Sequence, residues 1–385
     1  MGSGMRGLLA LMMSGVTAGA LALQPQIQAG AVPTVDAEAP MSAQEARETA
    51  LALASLLDEN YTDPEIGARY AEALRSRASA GAYDPAKNAM ELARLLTADV
   101  QVVAPDNHLR VTVRGNGAGP GGPRMVRRVP GAPPTAGMTP VAGPRPVEEA
   151  KWLAPGIAYI RFTSFLGDPA DVAAIDKFLS DHADAATLII DIRTHRGGGL
   201  AEMDAILPYL YERETKLLQM DTRASVDQRR EAPFGEEPRL RRVAGPQGVV
   251  RREHYVVPHA TEQRLFDAKV YLLTSNFTAS AAEHFALALK RTGRATLIGE
   301  ETAGAGNYGG IRPVGRRFAA FIPVGMTRDP ETGSRWEGSG IKPDVPVQAE
   351  QALVEALARS GVDRAEAERL SATVHPAGPM RRPKF

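Results

Sequence analysis

The 385-residue sequence contains no cysteine. Disulfides, thiolate nucleophiles and thiolate metal sites are therefore excluded. Lysine is scarce too: only eight of the 45 basic residues are lysines, and none lies between Lys290 and Lys342. Net charge is also missing. Forty-five acidic residues balance 45 basic ones scattered along the chain, so no electrostatic footprint for nucleic acid emerges. No internal repeat is found, and no His-x-x-x-His pair or acidic cluster suggests a metal. No cofactor is expected. The longest apolar stretch, from Leu8 to about Leu23, is broken by Ser14, Gly15, Thr17 and Gly19. It is short for a spanning helix of ~20 residues.

What is present is enough apolar sequence, 44% of residues, to bury a sizeable core. The first 31 residues carry one positive charge at Arg6, then the apolar stretch, then small residues. This is the layout of a secretory signal, with a small-x-small cut expected after Ala31 or Ala22. The rival reading is an uncleaved membrane anchor. On the first reading the mature chain has no membrane span, and it is periplasmic or secreted.

From Ser42 to about Ala104, Ala and Leu recur at three- and four-residue spacing. The pattern predicts three short amphipathic helices, the second opened by Asp63-Pro64. A helical domain over residues 42–105 follows. Residues 106–150 hold the strand-like DNHLRVTV and a segment too rich in Gly and Pro to be a folded module, read as a linker. From Lys151 strands alternate with helices: Gly156–Phe162, Asp168–Ser180, Thr187–Asp191, Ala201–Tyr211, Lys269–Leu273, Ser280–Arg291 and Ala295–Ile298. Such alternation predicts an α/β core with a mainly parallel sheet and flanking helices over residues 151–349. The charged stretch 220–265 is read as an irregular insertion over one edge, and short β-rich pieces such as FAAFIPVG as peripheral β structure. Residues 350–385 are read as one helix and a tail.

Four segments carry the chemistry. In TSNFTASAAE, residues 274–283, Ser280 stands where an apolar strand meets a helix. Ser280-Ala-Ala-Glu283 is a capping-box pattern, so a structural role is one reading. The other is nucleophilic attack. In open α/β sheets ligands bind beyond the carboxyl ends of strands, and a helix N-terminus favours developing negative charge. The elbow Gly-x-Ser-x-Gly is absent, which argues against an ordinary α/β-hydrolase. LIIDIRTHRGGG, residues 188–199, ends a buried strand in three glycines that could present backbone N–H groups to an oxyanion. GEETAGAGNYGG (299–310) is a second glycine loop, and DPETGSRWEGSGIKPDVPV (329–347) sets Glu337 between Trp336 and glycines.

These motifs, in this order, resemble the tail-specific (C-terminal-processing) serine peptidases, in the branch related to the tricorn core and interphotoreceptor retinoid-binding protein. The resemblance covers about residues 45–350 without the linker and insertion. It implies a ClpP/crotonase-like core, peptide or unfolded protein as substrate, Ser280 as nucleophile and His108 of the Asp-x-His segment as general base. It places the acidic partner at Glu337 and the oxyanion hole at Gly197, Gly198 and the Ala281 amide. The family's alternative lysine base would fall near Ala305, where no lysine exists. The sequence departs from the pattern at Asn107, where the branch has serine, and at His195-Arg196, where the family has Asn-Gly. Those three residues are candidates for substrate contact. No PDZ domain is expected, since only the Gly/Pro segment separates Val113 from Lys151.

A serine hydroxyl needs a base, and histidine with a carboxylate behind it supplies one. His284 and His195 remain alternative bases. His182, His254, His259 and His375 read as solvent-facing, Glu283 as a cap partner or a group supporting the site from behind, and Asp191 and Arg193 as structural. A non-catalytic binder of an apolar small molecule or peptide, or an esterase or amidase, stays open beside the peptidase reading.

Overall fold

A computed structural model describes residues 37–114, 145–234 and 237–381. The expected signal segment and most of the Gly/Pro-rich linker lie outside the described residues.

Three helices open the chain: α1 (Ala43–Asn60), α2 (Pro64–Ser79) and α3 (Ala89–Val103). Each begins at a side chain that takes a helix-end amide: Ser42 accepts from Glu45, Asp63 from Glu65 and Ile66, and Asn88 from Glu91. Their Ala/Leu stripes are buried, but not only against one another. Leu53, Leu57, Tyr70 and Leu96 share a core with Val314, Phe318, Ile322 and Val324, more than 200 positions further on. The helices therefore pack on the second sheet described below.

The strands are β1 (Val111–Val113), β2 (Val147–Ala154), β3 (Ile157–Phe162), β4 (Thr187–Asp191), β5 (Thr215–Arg223), β6 (Leu240–Val243), β7 (Val249–Val256), β8 (Lys269–Thr274), β9 (Thr296–Gly299), β10 (Asn307–Val314), β11 (Phe318–Arg328) and β12 (Val345–Pro346). One sheet runs β12-β9-β8-β4-β3-β2. Its pairs are parallel except for β2 on β3. Strands β3 and β4 are buried at every residue, as expected of a sheet covered on both faces. Ala158, Ile160, Leu188, Ile190 and Leu272 pack with α4 (Pro169–Asp181), α5 (Ala201–Ile206) and α7 (Ala281–Arg291). The alternate residues Tyr159, Ile189 and Leu273 share a core with Leu353 and Leu357 of α8 (Ala352–Arg359) and Ala367 of α9 (Arg364–Thr373). The parallel core predicted from alternation is present.

Three expectations need correction. The stretch 220–265 is not irregular: β5, β7 and β6, with the short α6 (Ala224–Gln228) after β5, belong to a six-stranded antiparallel sheet with β1, β10 and β11. Its charges pair with one another, Arg251 with Asp221, Arg252 with Asp227 and Lys216 with Glu253, while alternate residues of β7 are buried. The second sheet equals the first in strand number, so it is not merely peripheral. The C-terminal helix is two helices, broken at Ser360-Gly361, where Gly361 turns at φ +89°.

Candidate active site

Three loops at the carboxyl ends of β4, β8 and β9 converge. The β8 loop is laced to the β4 loop: Ser275 Oγ donates to the Arg193 carbonyl at 2.5 Å, Thr278 Oγ1 to that of Ile192 at 2.8 Å, and the Ala279 amide to that of His195 at 3.1 Å. Beneath them Asp191 and Arg193 form a buried ion pair, and Arg193 also donates to the Ala349 carbonyl. Their predicted structural role fits this geometry.

The lacing sets Gly197 directly against Ser280. A Cβ on Gly197 would lie 2.7 Å from the Ser280 Cβ, and Gly197 sits at φ +105°, where only glycine is relaxed. Ser280 itself has φ +61°, ψ −120°, a costly backbone for a residue with a side chain. Such strain persists where surroundings enforce it, and here they do. The Ser280 amide donates to Glu283 Oε2 at 2.8 Å, and the same carboxylate accepts from Thr302 Oγ1 and the Gly304 and Ala305 amides. The chain thus makes a sharp strand-to-helix turn at Ser280 without the glycines of the usual elbow. Glu283 is more than a cap partner, because it ties the serine to the glycine loop after β9. Burial pushes its carboxyl pKa up, against the pull of those four donors.

Opposite the serine stands His108. Its Nε2 lies 3.1 Å from Ser280 Oγ, although 172 positions separate the two residues. The ring stacks on Phe321 of β11, with centres 4.9 Å apart. Its backbone is shaped by Asp106, whose Oδ1 accepts from the amides of His108 and Leu109. Asp106 Oδ2 accepts in turn from Tyr61 and Asn307. Asp106 was not among the candidate residues. The signal was available, since an Asp two positions before His is the spacing of an Asx turn.

Glu337 accepts from three backbone amides: Asn107 at 2.9 Å, Gly306 at 2.6 Å and Asn307 at 2.9 Å. Burial, then the neighbouring charge of Asp106, push its carboxyl up to about 7 against these amides. One oxygen each from Asp106 and Glu337 and one ring nitrogen of His108 lie within 4.8 Å of one another. The trio could meet a cation, but amide and hydroxyl donors already crowd both carboxylates and would compete with it.

The other candidates separate. Ser280, His108, Glu337, Gly198 and Ala281 come together. Among the described residues no hydrogen bond occupies the amides of Gly198 or Ala281, and both residues border the recess beside Ser280. Gly197 does not offer its amide there, because that N–H donates to His195 Nδ1 at 3.0 Å. His195 is fully buried against Phe165, with its pKa lowered to about 3 by burial, so it neither touches substrate nor serves as the base. Asn107 is a brace rather than a substrate contact: its Nδ2 donates to the carbonyls of Ala303 and Gly304. Arg196 lays its guanidinium 5.1 Å from the Phe277 ring centre. His254 is not solvent-facing. It is wholly buried between His284 and Asp204, and His284 is turned to it and not to Ser280.

The model of peptidase family S41 matches residues 156–347, and that of the N-terminal domain of peptidase S41 in eukaryotic IRBP matches residues 41–142. The chain belongs to peptidase family S41. This S41 protein is a serine peptidase, and the matches run in the order that its motifs led one to expect. The second match continues across the segment read as a linker. The photosystem II D1 C-terminal processing protease is a similar structure, at 17% identity and TM-score 0.51, over 83% of this chain and 98% of that one. A candidate peptidase of Parabacteroides merdae is equally alike, at 17% identity and TM-score 0.51, over 84% and 96%. Both likenesses speak to the fold. No helix among the described residues is long and apolar enough to cross a membrane.

Proposed function

We propose that this S41 peptidase hydrolyses peptide bonds of peptides or unfolded proteins with Ser280 as nucleophile and His108 as general base. The observation that carries the proposal is the 3.1 Å approach of His108 Nε2 to Ser280 Oγ. Nε2 takes the hydroxyl proton as Oγ bonds to the substrate carbonyl carbon, and the carbonyl oxygen becomes an oxyanion. The Gly198 and Ala281 amides, at the positive end of α7, are the uncommitted donors for that charge. Collapse breaks the C–N bond, and the imidazolium passes its proton to the departing amine. Water then attacks the acyl-enzyme as His108 receives its proton; the C–Oγ bond breaks, and the imidazolium returns the proton to Ser280 Oγ. Glu337 lies close enough to the imidazole to favour its charged form and holds the Asn107 backbone that precedes it.

Labelling with a fluorophosphonate, with the modified residue identified by mass spectrometry, tests this. Label on Ser280, lost in Ser280→Ala and slowed at least 100-fold in His108→Ala, is expected. An unlabelled wild type, or a His108→Ala enzyme acylated at the wild-type rate, would refute the assignment. We also infer export, from the charge, apolar run and small residues of positions 1–31. Retention in the cytosol would count against export, and a chain beginning before residue 20 in the secreted or periplasmic fraction would count against cleavage after Ala22 or Ala31.

A further inference from the structure

Beside Ser280 lies a recess that the catalytic roles leave unused. One end is formed by Gly198, Ser280 and Ala281, and the walls by Leu200, Met220, Phe234, His284, Tyr308 and Trp336 among others. Among the described residues no Asp, Glu, Lys or Arg lines it. The charged groups that act on the wall residue Tyr308 are ion-paired, Asp221 with Arg251 and Arg252 with Asp227 of α6.

His284, one turn beyond the serine on α7, is the polar side chain of this wall whose setting is most constrained. Its Nε2 lies 2.9 Å from Nδ1 of His254, and Nε2 of His254 lies 2.8 Å from Asp204 Oδ1. A carboxylate accepts only, so His254 donates from Nε2, and with that ring neutral it accepts at Nδ1. His284 then donates from its own Nε2. This arrangement sets both tautomers and locks the His284 ring in the wall. Burial holds the His284 imidazole well below its ordinary pKa, so it stays neutral.

We propose that this recess selects the side chain on the acyl side of the cleaved bond, admits uncharged apolar side chains of the Leu, Met and Phe class, and owes its shape to His284 held by His254 and Asp204. The inference rests on Ser280 being the nucleophile. A carbonyl placed over Oγ with its oxygen toward the Gly198 and Ala281 amides brings its own side chain to the recess mouth, two bonds from the reacting carbon. A charged side chain would shed its water there and find no counter-charge. Apolar groups gain by each methylene buried.

The test is a set of fluorogenic peptides varied only at that position, beside fluorophosphonate labelling of the same wild-type preparation. Leu, Met or Phe should exceed Asp and Lys at least 100-fold in kcat/KM. His284→Ala should raise the preference for Trp over Leu at least tenfold, and His254→Ala, which only unlocks the ring, should change it in the same direction. Should either variant fail to fold, Met220→Ala widens the recess from β5 and carries the same expectation. A labelled enzyme with a flat profile, or one favouring Lys or Asp, overturns the selection pocket and leaves the nucleophile standing. Variants whose profile superimposes on wild type overturn the role of His284. An unlabelled wild type removes the nucleophile and the pocket with it.

Discussion

Replacing Glu283 should damage the enzyme in two measurable ways. Its carboxylate gathers the Ser280 amide at 2.8 Å, the Thr302 hydroxyl at 2.6 Å, the Gly304 amide at 2.7 Å and the Ala305 amide at 2.8 Å. A buried donor left without a partner costs about 1–3 kcal/mol. In Glu283→Ala the Thr302 hydroxyl can rotate and water can enter the space, so two or three donors remain unmet. Relief of the cost of burying the carboxylate offsets part of this. The net expectation is a loss of roughly 3 kcal/mol. Glu283→Gln keeps the volume but not the acceptors. With its nitrogen on the Oε1 side it confronts the Gly304 N–H; with the nitrogen on the Oε2 side it confronts those of Ser280 and Ala305. The first orientation is the cheaper, and a loss of about 1–3 kcal/mol follows. Urea denaturation reads both, provided the slope is unchanged between variants. Because Glu283 also pins the backbone of the serine, fluorophosphonate labelling of folded Glu283→Gln should slow by about 10- to 100-fold, the range of one misplaced catalytic group. A Glu283→Ala protein within about 1 kcal/mol of wild type and labelled at the wild-type rate would refute the clamp.

Three further outcomes are expected. Glu337 is raised from 4.5 to about 7, so its contribution to stability is full below pH 4.5 and is lost as pH rises through 7. At about 1.4 kcal/mol per pH unit, ~3 kcal/mol should drain from wild type over that window. Urea melts of Glu337→Gln should show a flatter pH dependence there, and an unchanged slope would dismiss the shift. Wild-type acylation should rise over the same window as the carboxylate ionises; a rate that falls with stability would mean that its charge does not assist His108. Gly197→Ala puts a methyl 2.7 Å from the Ser280 Cβ, whereas Gly198→Ala puts one 1.7 Å from the Phe165 carbonyl oxygen, where nothing can yield. The first, strained at φ +105°, should lose about 1–3 kcal/mol in urea denaturation and label at least 100-fold more slowly, and the second should lose more stability than the first. The reverse order would contradict the packing described.

The parallel sheet was legible because strands buried on both faces read as short apolar runs, Thr187–Asp191 being the plainest. The antiparallel sheet was hidden by its own charges. In β7, Arg251, Glu253 and Tyr255 alternate with the buried Val250, Arg252 and His254, so two of the inward positions are themselves polar and the apolar alternation disappears. Their partners, Asp227 on α6 and Asp204 on α5, are 25 and 50 positions away, where no local pattern points. The break at Ser360-Gly361 was readable from a glycine at a helix end. The second core was not, since nothing in α1 announces that Leu53 will meet Phe318.

The same division runs through the site. Ser280, Glu337 and the glycines could be singled out because motifs keep their order along the chain, but order says nothing about which amide is free. Gly197 and Gly198 are neighbours of one kind, and only the His195 Nδ1 behind the first tells them apart. The proposed base shows why distance in sequence matters less than the frame. Ser280 is aimed by the parallel sheet, through β8 and the lacing to the β4 loop. His108 is aimed by the antiparallel sheet, through β1, whose Val111 pairs with Ala320, and through Phe321, on which its ring lies. The separation of Oγ and Nε2 is therefore set by how two sheets dock. The residues spanning that junction are Asp106, braced by Asn307, and Asn107, braced by Glu337 and the carbonyls of Ala303 and Gly304. An amide at position 107 does there what a hydroxyl could not do alone, donating two hydrogen bonds to the glycine loop, and the departure from the family pattern is thus a change in how the two halves are joined.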